Sequence, residues 1–281
     1  MQLNGMHGNS IVITGCSSGI GLCVARGLQA RGYRVFATAR QAGDVQRLAD
    51  EGFESLQLDL DDSASIAAAV SEVLDRTGGT LDALFNNGAY GQPGAVEDLS
   101  RDVLRAQFET NLFGWHELTR LVLPVMRRQG HGRIIQHSSV LGLVALRYRG
   151  AYNASKYALE GLTDTLRLEL RDSNIQVSLI DTGPVTSRFR ENAHAAFLRN
   201  IDQNNSVHRA HYQRVVARLT QSGAVVPFTL PPEAVLKKVL QALESSHPRP
   251  RYYVTFPTYL FAYLKRILSA RMLDRILSKV S

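Results

Sequence analysis

The chain has 281 residues, of which 44% are hydrophobic and 20% are charged, the balance of a globular protein with a sizeable core. Residues 249–281 carry seven lysine and arginine side chains against Asp274 alone, so they account for +6 of the net charge of +7. A nucleic-acid binder more often spreads its basic residues over the whole body, so we expect no nucleic-acid partner.

Three other classes of protein are disfavoured by the sequence. The two cysteines, Cys16 and Cys23, do not support a disulfide framework and favour a reducing compartment. The first ten residues lack the basic and apolar regions of a signal peptide. The longest uncharged run near the C-terminus, 252–264, is too short to cross a membrane and contains Pro257. We therefore expect a cytoplasmic protein.

Short apolar runs alternate with helical patterns along most of the chain. The predicted strands are residues 11–13, 35–38, 56–60, 81–85, 133–137 and 177–180. The predicted helices are residues 19–30, 45–50, 63–75 (capped by Ser63), 101–128 and 152–171. Such alternation requires crossover connections, so it predicts an α/β fold with one doubly wound, Rossmann-type parallel sheet and helices on both faces. We treat residues 1–281 as one domain with a C-terminal helical extension.

A glycine-rich turn, TGCSSGIG, follows the first predicted strand. Glycines let the backbone approach a pyrophosphate, and the following helix offers free N–H groups and the positive end of its dipole. The spacing is G-x3-G-x-G rather than the better-known G-x-G-x-x-G, and a plain strand-to-helix turn is the alternative. Its place after the first strand favours a dinucleotide site. The expected cofactor contacts in this turn are Gly15, Ser17, Ser18, Gly19, Ile20 and Gly21.

The end of the second predicted strand bears on the choice of cofactor. It reads ATAR, with no acidic residue and with Arg40 in last place. NAD-binding folds often have Asp or Glu here to accept bonds from the ribose 2′-hydroxyl. A guanidinium instead pairs with a 2′-phosphate, which a carboxylate would repel. Unless Arg40 is only a solvated surface residue, NADP(H) is the expected cofactor.

Two tyrosines flank a lysine in the stretch YNASKY. Positions i and i+4 share a helical face, so Tyr152 lies over Lys156, and Tyr157 points elsewhere into packing. A nearby ammonium favours the phenolate and lowers the tyrosine pKa, which suits proton exchange with a carbonyl oxygen. The fifth predicted strand ends in Ser138 and Ser139, at the edge of the sheet where ligands bind.

These motifs together resemble the short-chain dehydrogenase/reductase family. TGCSSGIG, the pair Asn86-Asn87, Asn111, Ser139 and Tyr152-x3-Lys156 occur in the family's order through residues 10–190. Within the family the chain is similar to bacterial NADP-dependent oxidoreductases of the aldehyde reductase type, which are related to retinol and 17β-hydroxysteroid dehydrogenases.

The resemblance implies roles for individual residues. Tyr152 would be the general acid–base, Ser139 would hold the substrate oxygen, and Lys156 would bond the nicotinamide ribose and lower the tyrosine pKa. Asn111 would hold a water that links Lys156 to solvent. The family's spacing of thirteen residues to the tyrosine selects Ser139 over Ser138. The further implied cofactor contacts are Asp59, Leu60, Asn87, Gly88, Ala89, Val185 and Ser187.

The sequence departs from the family pattern at two places. The family usually has Asn-Asn-Ala-Gly after the fourth strand, whereas Gly88 here precedes Ala89. It usually has Pro-Gly after the sixth strand, whereas Thr182 here precedes Gly183, which raises the question of what keeps this loop rigid. We expect neither change to disable the site.

The apolar loop 140–145 and the segment 189–232, which matches the family's substrate lid, favour an apolar substrate. We therefore predict an NADPH-dependent reductase of apolar aldehydes or ketones. A retinol or hydroxysteroid dehydrogenase is the nearest alternative, and a non-catalytic NADP(H)-binding regulator is the alternative from another class. The family implies a homodimer built through the helices at 101–128 and 152–171. The eight histidines show no metal-ligand spacing and are interpreted as surface or packing residues.

The basic tail, residues 249–281, is amphipathic. Its predicted apolar faces comprise Leu260, Phe261, Leu264, Ile267 and Leu268, followed by Met272, Leu273, Ile276, Leu277 and Val280. Arg271, Arg275 and Lys279 form a neighbouring basic stripe. The tail either packs over the substrate mouth or a subunit interface, or lies on anionic lipid at the inner membrane surface.

Overall fold

The computed structural model describes residues 9–221 and 226–280. Its strands are β1 (Ser10–Ile13), β2 (Arg34–Ala39), β3 (Glu54–Gln57), β4 (Ala83–Asn86), β5 (Gly132–Ser139), β6 (Ile175–Thr182) and β7 (Arg251–Tyr253). They form one sheet in the order β3-β2-β1-β4-β5-β6-β7, and neighbouring strands run parallel. The strand order reverses between β1 and β4, which is where doubly wound sheets bind ligands. The predicted fold class is confirmed.

Helices cover both faces of the sheet. They are α1 (Gly19–Gln29), α2 (Ala42–Asp50), α3 (Ser63–Thr77), α4 (Arg101–Phe108), α5 (Gly114–Gln129), α6 (Gly150–Glu169), α7 (Phe189–Asn200), α8 (Arg209–Thr220), α9 (Glu233–Glu244), α10 (Phe256–Ile267) and α11 (Ala270–Leu277). No helix in the described part of the chain is long and apolar enough to cross a membrane.

The two faces of the sheet carry separate cores, because successive strand residues point in opposite directions. On β1, Val12 joins the core formed with α3, α5 and α6. Its neighbours Ile11 and Ile13 join the core formed with α1, α2 and α9. Burial of both faces explains why the strands read as continuous apolar runs.

The third strand and the cap of the following helix differ from the prediction. β3 covers Glu54–Gln57 rather than 56–60. The Leu58 N–H still bonds the Ala39 carbonyl of β2 at 3.0 Å, and the side chains of Leu58 and Leu60 pack into the core with α3 and α5. The cap of α3 is Asp62, whose carboxylate accepts the Ala64 N–H at 2.9 Å. Ser63 is already helical, so the predicted cap was wrong by one residue.

The long helix predicted over 101–128 is interrupted. A π-helical turn, Glu109–Phe113, separates α4 from α5. Buried Asn111 lies within this turn, and its side-chain amide bonds the Tyr90 backbone twice, accepting its N–H at 3.2 Å and donating to its carbonyl at 3.0 Å. A π turn breaks the regular row of side chains and recurs at functional sites. Here it directs Asn111 at the loop that follows β4.

The tail packs against the protein, so its predicted apolar faces are divided. Phe261 and Leu277 are buried against Val144, in the loop that follows β5. The exposed apolar side chains of the tail are Phe256, Tyr259, Leu260, Tyr263, Ile267, Met272, Ile276 and Val280. The tail therefore covers the outside of the predicted substrate wall and presents a second apolar surface outward.

Candidate active site

Tyr152 and Lys156 share one face of α6. The Lys156 Nζ lies 5.7 Å from the centroid of the Tyr152 ring. Tyr157 is directed elsewhere: its hydroxyl donates to the Leu143 carbonyl at 2.7 Å, and Lys265 Nζ lies 4.6 Å from the centroid of its ring. Tyr152 is therefore the tyrosine that faces the lysine.

Lys156 is almost completely buried beneath the site. Its Nζ donates to the His137 carbonyl at 2.7 Å and lies 4.3 Å from the centroid of the Trp115 ring. Burial lowers the pKa of Lys156 to about 7, although the charges of Glu160 and Asp181 oppose this shift. Desolvation disfavours the charged ammonium, so this lysine can gain or lose a proton near neutral pH.

Burial has the opposite effect on Tyr152, because the charged form of a phenol is the deprotonated one. It raises the pKa of Tyr152 to about 12. A hydrogen bond with Ser139 and the charge of Arg149 act to lower this pKa. The expected lowering below the ordinary value is therefore wrong for this arrangement, because burial outweighs nearby charge. Tyr152 carries its proton at neutral pH.

The two serines at the end of β5 have different surroundings. Ser139 Oγ accepts the Leu141 N–H at 3.1 Å, and the Ser139 side chain also acts to lower the pKa of Tyr152. Ser138 instead donates a short hydrogen bond to the buried carboxylate of Glu160. Glu160 is held in turn by Arg251, whose Nη2 lies 2.7 Å away. The Ser138 hydroxyl is thus engaged by Glu160, whereas Ser139 lies on the side of Tyr152.

The glycine-rich turn has the geometry of a phosphate loop. Gly15 and Gly19 have φ angles of +71° and +56°, which favour glycine. A Cβ on Gly21 would lie 2.2 Å from the Gly15 carbonyl oxygen, so no larger residue fits. Ser18 precedes α1 without capping it through its side chain, so the first N–H groups of the helix remain available. This cradle suits a pyrophosphate.

The loop after β4 is bonded directly to this cradle. Thr14 Oγ1 accepts the N–H groups of Asn87 and Gly88, both at 2.8 Å, and Asn87 Nδ2 donates to the Thr14 carbonyl at 2.9 Å. A Cβ on Gly15 would lie 2.6 Å from the Gly88 Cα. The unusual Gly-Ala order thus puts glycine where the two loops approach most closely, with Ala89 just beyond.

The other predicted cofactor contacts lie along the same edge. Arg40 is exposed after β2, and within the described residues its guanidinium has no hydrogen-bond partner. Asp59 follows β3, and Leu60 offers only its backbone because its side chain lies in the core. Val185 bridges to Leu230 through the backbone.

Ser187 and the first residue of α7 connect the cradle to the tyrosine. A Cβ on Gly19 would lie 3.0 Å from the Ser187 Cβ, which puts Ser187 beside the phosphate loop. Two residues later, the ring of Phe189 meets that of Tyr152 edge to face, with centroids 5.2 Å apart. One short segment therefore spans the distance from the phosphate loop to the tyrosine, the path that an extended dinucleotide would follow.

His137 is a site residue that the sequence interpretation undervalued. Its Nδ1 lies 2.9 Å from Asn87 Oδ1 and its Nε2 lies 3.2 Å from Thr182 Oγ1. Burial, assisted by the Lys156 charge, lowers the pKa of His137 to about 3, so the ring is neutral. The signal available in the sequence was its position directly before the two serines.

Thr182 answers the question raised by the missing proline. Its hydroxyl donates to the Ser138 carbonyl at 3.3 Å and bonds His137. The end of β6 is therefore fixed to β5 by side-chain bonds rather than by a proline ring.

Within residues 9–221 and 226–280, no group of three or more His, Cys, Asp or Glu is arranged to hold a metal ion.

Comparisons with known proteins agree with this geometry. The family model described as short chain dehydrogenase matches residues 9–196. The Uncharacterized oxidoreductase YbbO of Escherichia coli (strain K12) is 43% identical over 268 residues, covering 95% of this chain and 93% of its own. Human 17-beta-hydroxysteroid dehydrogenase type 1 is 34% identical, covering 87% of this chain and 77% of its own. The crystal structure of a short-chain dehydrogenase from Streptomyces avermitilis superposes with a TM-score of 0.79 at 26% identity, covering 98% of each chain.

The buried ammonium of Lys156 predicts a specific dependence of stability on pH. Its pKa is about 7 when folded and roughly 10.4 when unfolded. Between these values the unfolded chain binds the proton and the folded chain does not, so this group makes the free energy of unfolding rise with pH. The free energy of unfolding of wild type minus that of Lys156→Met, measured by urea denaturation, should increase across this range. Lys237→Met removes an exposed lysine and serves as the control; a constant difference for Lys156→Met would contradict the assignment.

Proposed function

The chain belongs to the short-chain dehydrogenase family, and from this premise we propose that it is an NADPH-dependent reductase of apolar aldehydes or ketones. Members of the family bind nicotinamide cofactors and act on carbonyl or alcohol groups. When bound, NADPH would supply a hydride to the carbonyl carbon. The chain's own residues hold the carbonyl oxygen and give it a proton.

The observation that carries the proposal is the position of buried Tyr152, over Lys156 and against Phe189, on the segment that reaches the phosphate cradle. In reduction, Ser139 would donate a hydrogen bond to the carbonyl oxygen and Tyr152 would transfer its proton as negative charge develops there. A pKa raised to about 12 keeps that proton in place at neutral pH. Lys156, bonded to the His137 carbonyl, would hold the nicotinamide ribose and stabilise the phenolate that remains.

The exposed guanidinium of Arg40 supports NADPH over NADH. The neighbouring Arg47 is already engaged by the Ser17 carbonyl at 2.6 Å and by Asp44 at 2.9 Å. Arg40 thus offers an uncommitted fork of donors at the end of β2, where a 2′-phosphate would lie. Ser17 and Ser18 would add their hydroxyls.

The apolar wall of the site supports a hydrophobic substrate. Leu141 is buried in the loop after β5, and Phe189 lies against Tyr152. The segment 189–232 would act as the substrate lid, with α7 and α8 as its helices. Similarity to a human 17-beta-hydroxysteroid dehydrogenase keeps a bulky alcohol or ketone as the second candidate.

Two further surfaces belong to the proposal. The outer faces of the α4–α5 region and of α6 expose Phe113, Leu162 and Leu168, which would pack against a second copy to form a homodimer. Sedimentation of the full chain distinguishes one copy from two.

The outward apolar side chains of α10 and α11, beside Arg271, Arg275 and Lys279, would rest on anionic lipid at the cytoplasmic face of a membrane.

Replacing Tyr152 with Phe removes the proton donor and keeps the ring that contacts Phe189. We expect the wild type to oxidise NADPH in the presence of nonanal, seen as a fall in absorbance. The rate of this oxidation should be at least about a hundredfold lower in Tyr152→Phe. Tyr157→Phe, a tyrosine one residue from Lys156, should retain most of the rate. Equal rates in wild type and Tyr152→Phe would refute the assignment. NADPH binding without turnover of nonanal, retinal or a ketosteroid would favour a non-catalytic regulator.

Replacing Arg40 with Leu removes the proposed partner of the 2′-phosphate. The KM for NADPH should rise by about tenfold or more, because a charge-assisted bond contributes roughly 1.5–3 kcal/mol. The KM for NADH should change little. Arg105→Leu, on α4, is the charge-matched control. A parallel rise in both KM values would mean that Arg40 acts on the fold rather than on the 2′-phosphate.

The triple variant Arg271→Gln, Arg275→Gln and Lys279→Gln tests the lipid contact without disturbing the buried side of the tail. Each basic residue contributes ~1 kcal/mol near an anionic surface, so binding to phosphatidylserine vesicles should fall by about two orders of magnitude. Arg101→Gln, Arg105→Gln and Arg120→Gln form a control of equal charge. The lipid contact is excluded if wild type stays in solution with these vesicles, or if both triple variants bind like wild type.

A further inference from the structure

Three arginines from separate segments lie around Tyr152. Arg149 directly precedes α6, three residues before the tyrosine. Arg190 follows Phe189, whose ring contacts that of Tyr152. Arg190 also donates to the Gln221 carbonyl at 3.0 Å, which joins the start of α7 to the end of α8. Arg218 lies in the last turn of α8.

The packing of α8 brings Arg218 to the same place. Tyr148 contacts His211 with ring centroids 5.7 Å apart, so this face of α8 lies on the loop that leads to Arg149. His211, Val215 and Arg218 are spaced i, i+4 and i+7, and therefore share that face. Val215 packs in the same cluster as Tyr148. Arg218 thus extends from the lid toward Arg149 and Tyr152.

The guanidinium groups of Arg149 and Arg218 are partly withdrawn from water, and within the described residues no acidic side chain pairs with them. All three side chains are partly buried. Among the described residues, Arg149 and Arg218 have neither an ion pair nor a side-chain hydrogen bond. Residues 1–8 and 222–225 contain no Asp or Glu. Burial, together with the charge of Arg218, lowers the pKa of Arg149 to about 10, which reflects how poorly the charge is compensated.

Arg251 is a partly buried arginine whose charge is compensated. Arg251 donates to Glu160 at 2.7 Å and to Asp164 at 2.8 Å. Desolvating a charge without a partner is costly, so such groups are normally paired. Within the described residues no carboxylate pairs with Arg149 or Arg218, and Arg149 lies close enough to the proposed proton donor, Tyr152, to affect its pKa.

We propose that Arg149 and Arg218 form a subsite for an anionic group on the substrate, a carboxylate or a phosphate monoester, so that the preferred substrates are apolar carbonyl compounds with an acidic group. This inference rests on the proposed reductase function and names the substrate class for it. A planar guanidinium offers donors in a fork that matches either group. The cofactor phosphates would lie elsewhere, at Gly15–Gly21 and Arg40, whereas the Arg149 backbone bridges to Gly94.

Nonanal and azelaic semialdehyde, its counterpart with a terminal carboxylate, form the substrate pair for the test. With wild type, the acid should have a KM lower by about tenfold or more, because a charge-assisted hydrogen bond strengthens binding by that much. Arg149→Gln and Arg218→Gln should each raise the KM for the acid by about the same factor and leave the KM for nonanal within about twofold. Arg218→Gln should also leave kcat within about twofold, whereas Arg149→Gln removes a charge that lowers the pKa of Tyr152 and is therefore compared through KM alone. Arg149→Lys should restore part of the preference, since it keeps the charge.

Arg209→Gln is the matched control, because it removes an exposed arginine from the first turn of α8. Arg218→Gln keeps the test valid if Arg149→Gln fails to fold. Equal losses with both substrates would overturn the subsite and make Arg149 a tuner of Tyr152. A wild type that shows no preference for the acid over nonanal would also overturn the subsite. The reductase assignment would stand in either case. If wild type reduces neither compound, the proposed function itself fails.

A binding measurement separates the subsite from turnover and identifies its anion. Trp115 is the only tryptophan in the chain and lies beneath the site, so its fluorescence reports ligands there. Nonanoate and nonyl phosphate should bind the complex of wild type and NADPH more tightly than nonanol does. The tighter of the two ligands shows whether the subsite prefers a carboxylate or a phosphate monoester. Arg218→Gln should abolish this advantage. Equal binding of all three compounds to wild type would contradict the subsite.

Discussion

A row of side-chain hydrogen bonds crosses the carboxyl ends of four neighbouring strands, and the site depends on it. Thr14 after β1 holds the loop after β4, Asn87 in that loop bonds His137 on β5, and His137 bonds Thr182 on β6. Each member is at least partly buried, so an unpaired partner would be costly. The row fixes the glycine-rich turn and the end of β5, which carries Ser139, relative to each other.

The two central side chains of the site respond to the same environment in opposite ways. Burial keeps Tyr152 protonated and makes the charge on Lys156 easy to lose. A neutral phenol next to a serine hydroxyl suits delivery of a proton to a carbonyl oxygen. The Lys156 ammonium donates to the His137 carbonyl, so the strand that presents Ser139 also positions Lys156.

The fold was predictable because strand and helix periodicities are local, and the shared helical face of Tyr152 and Lys156 was predictable because spacing fixes helical faces. Spacing did not reveal where Lys156 Nζ is aimed, nor that burial outweighs charge at Tyr152, since both depend on residues distant in sequence. The π-helical turn at Asn111 has no periodic signature, and β7 is too short to stand out. Arg149 could not be predicted as a site residue, because a single arginine before a helix has no distinguishing pattern in the sequence.

The central claim is that this strand edge organises hydride transfer from NADPH with Tyr152 as proton donor. The most direct test is to incubate the wild type with nonanal and NADPH that carries deuterium at the transferable position, and to analyse the alcohol by mass spectrometry. Nonanol with one deuterium on the carbinol carbon, formed by wild type and not by Tyr152→Phe, is the predicted result. Saturable binding of NADPH without any deuterated alcohol would contradict the account.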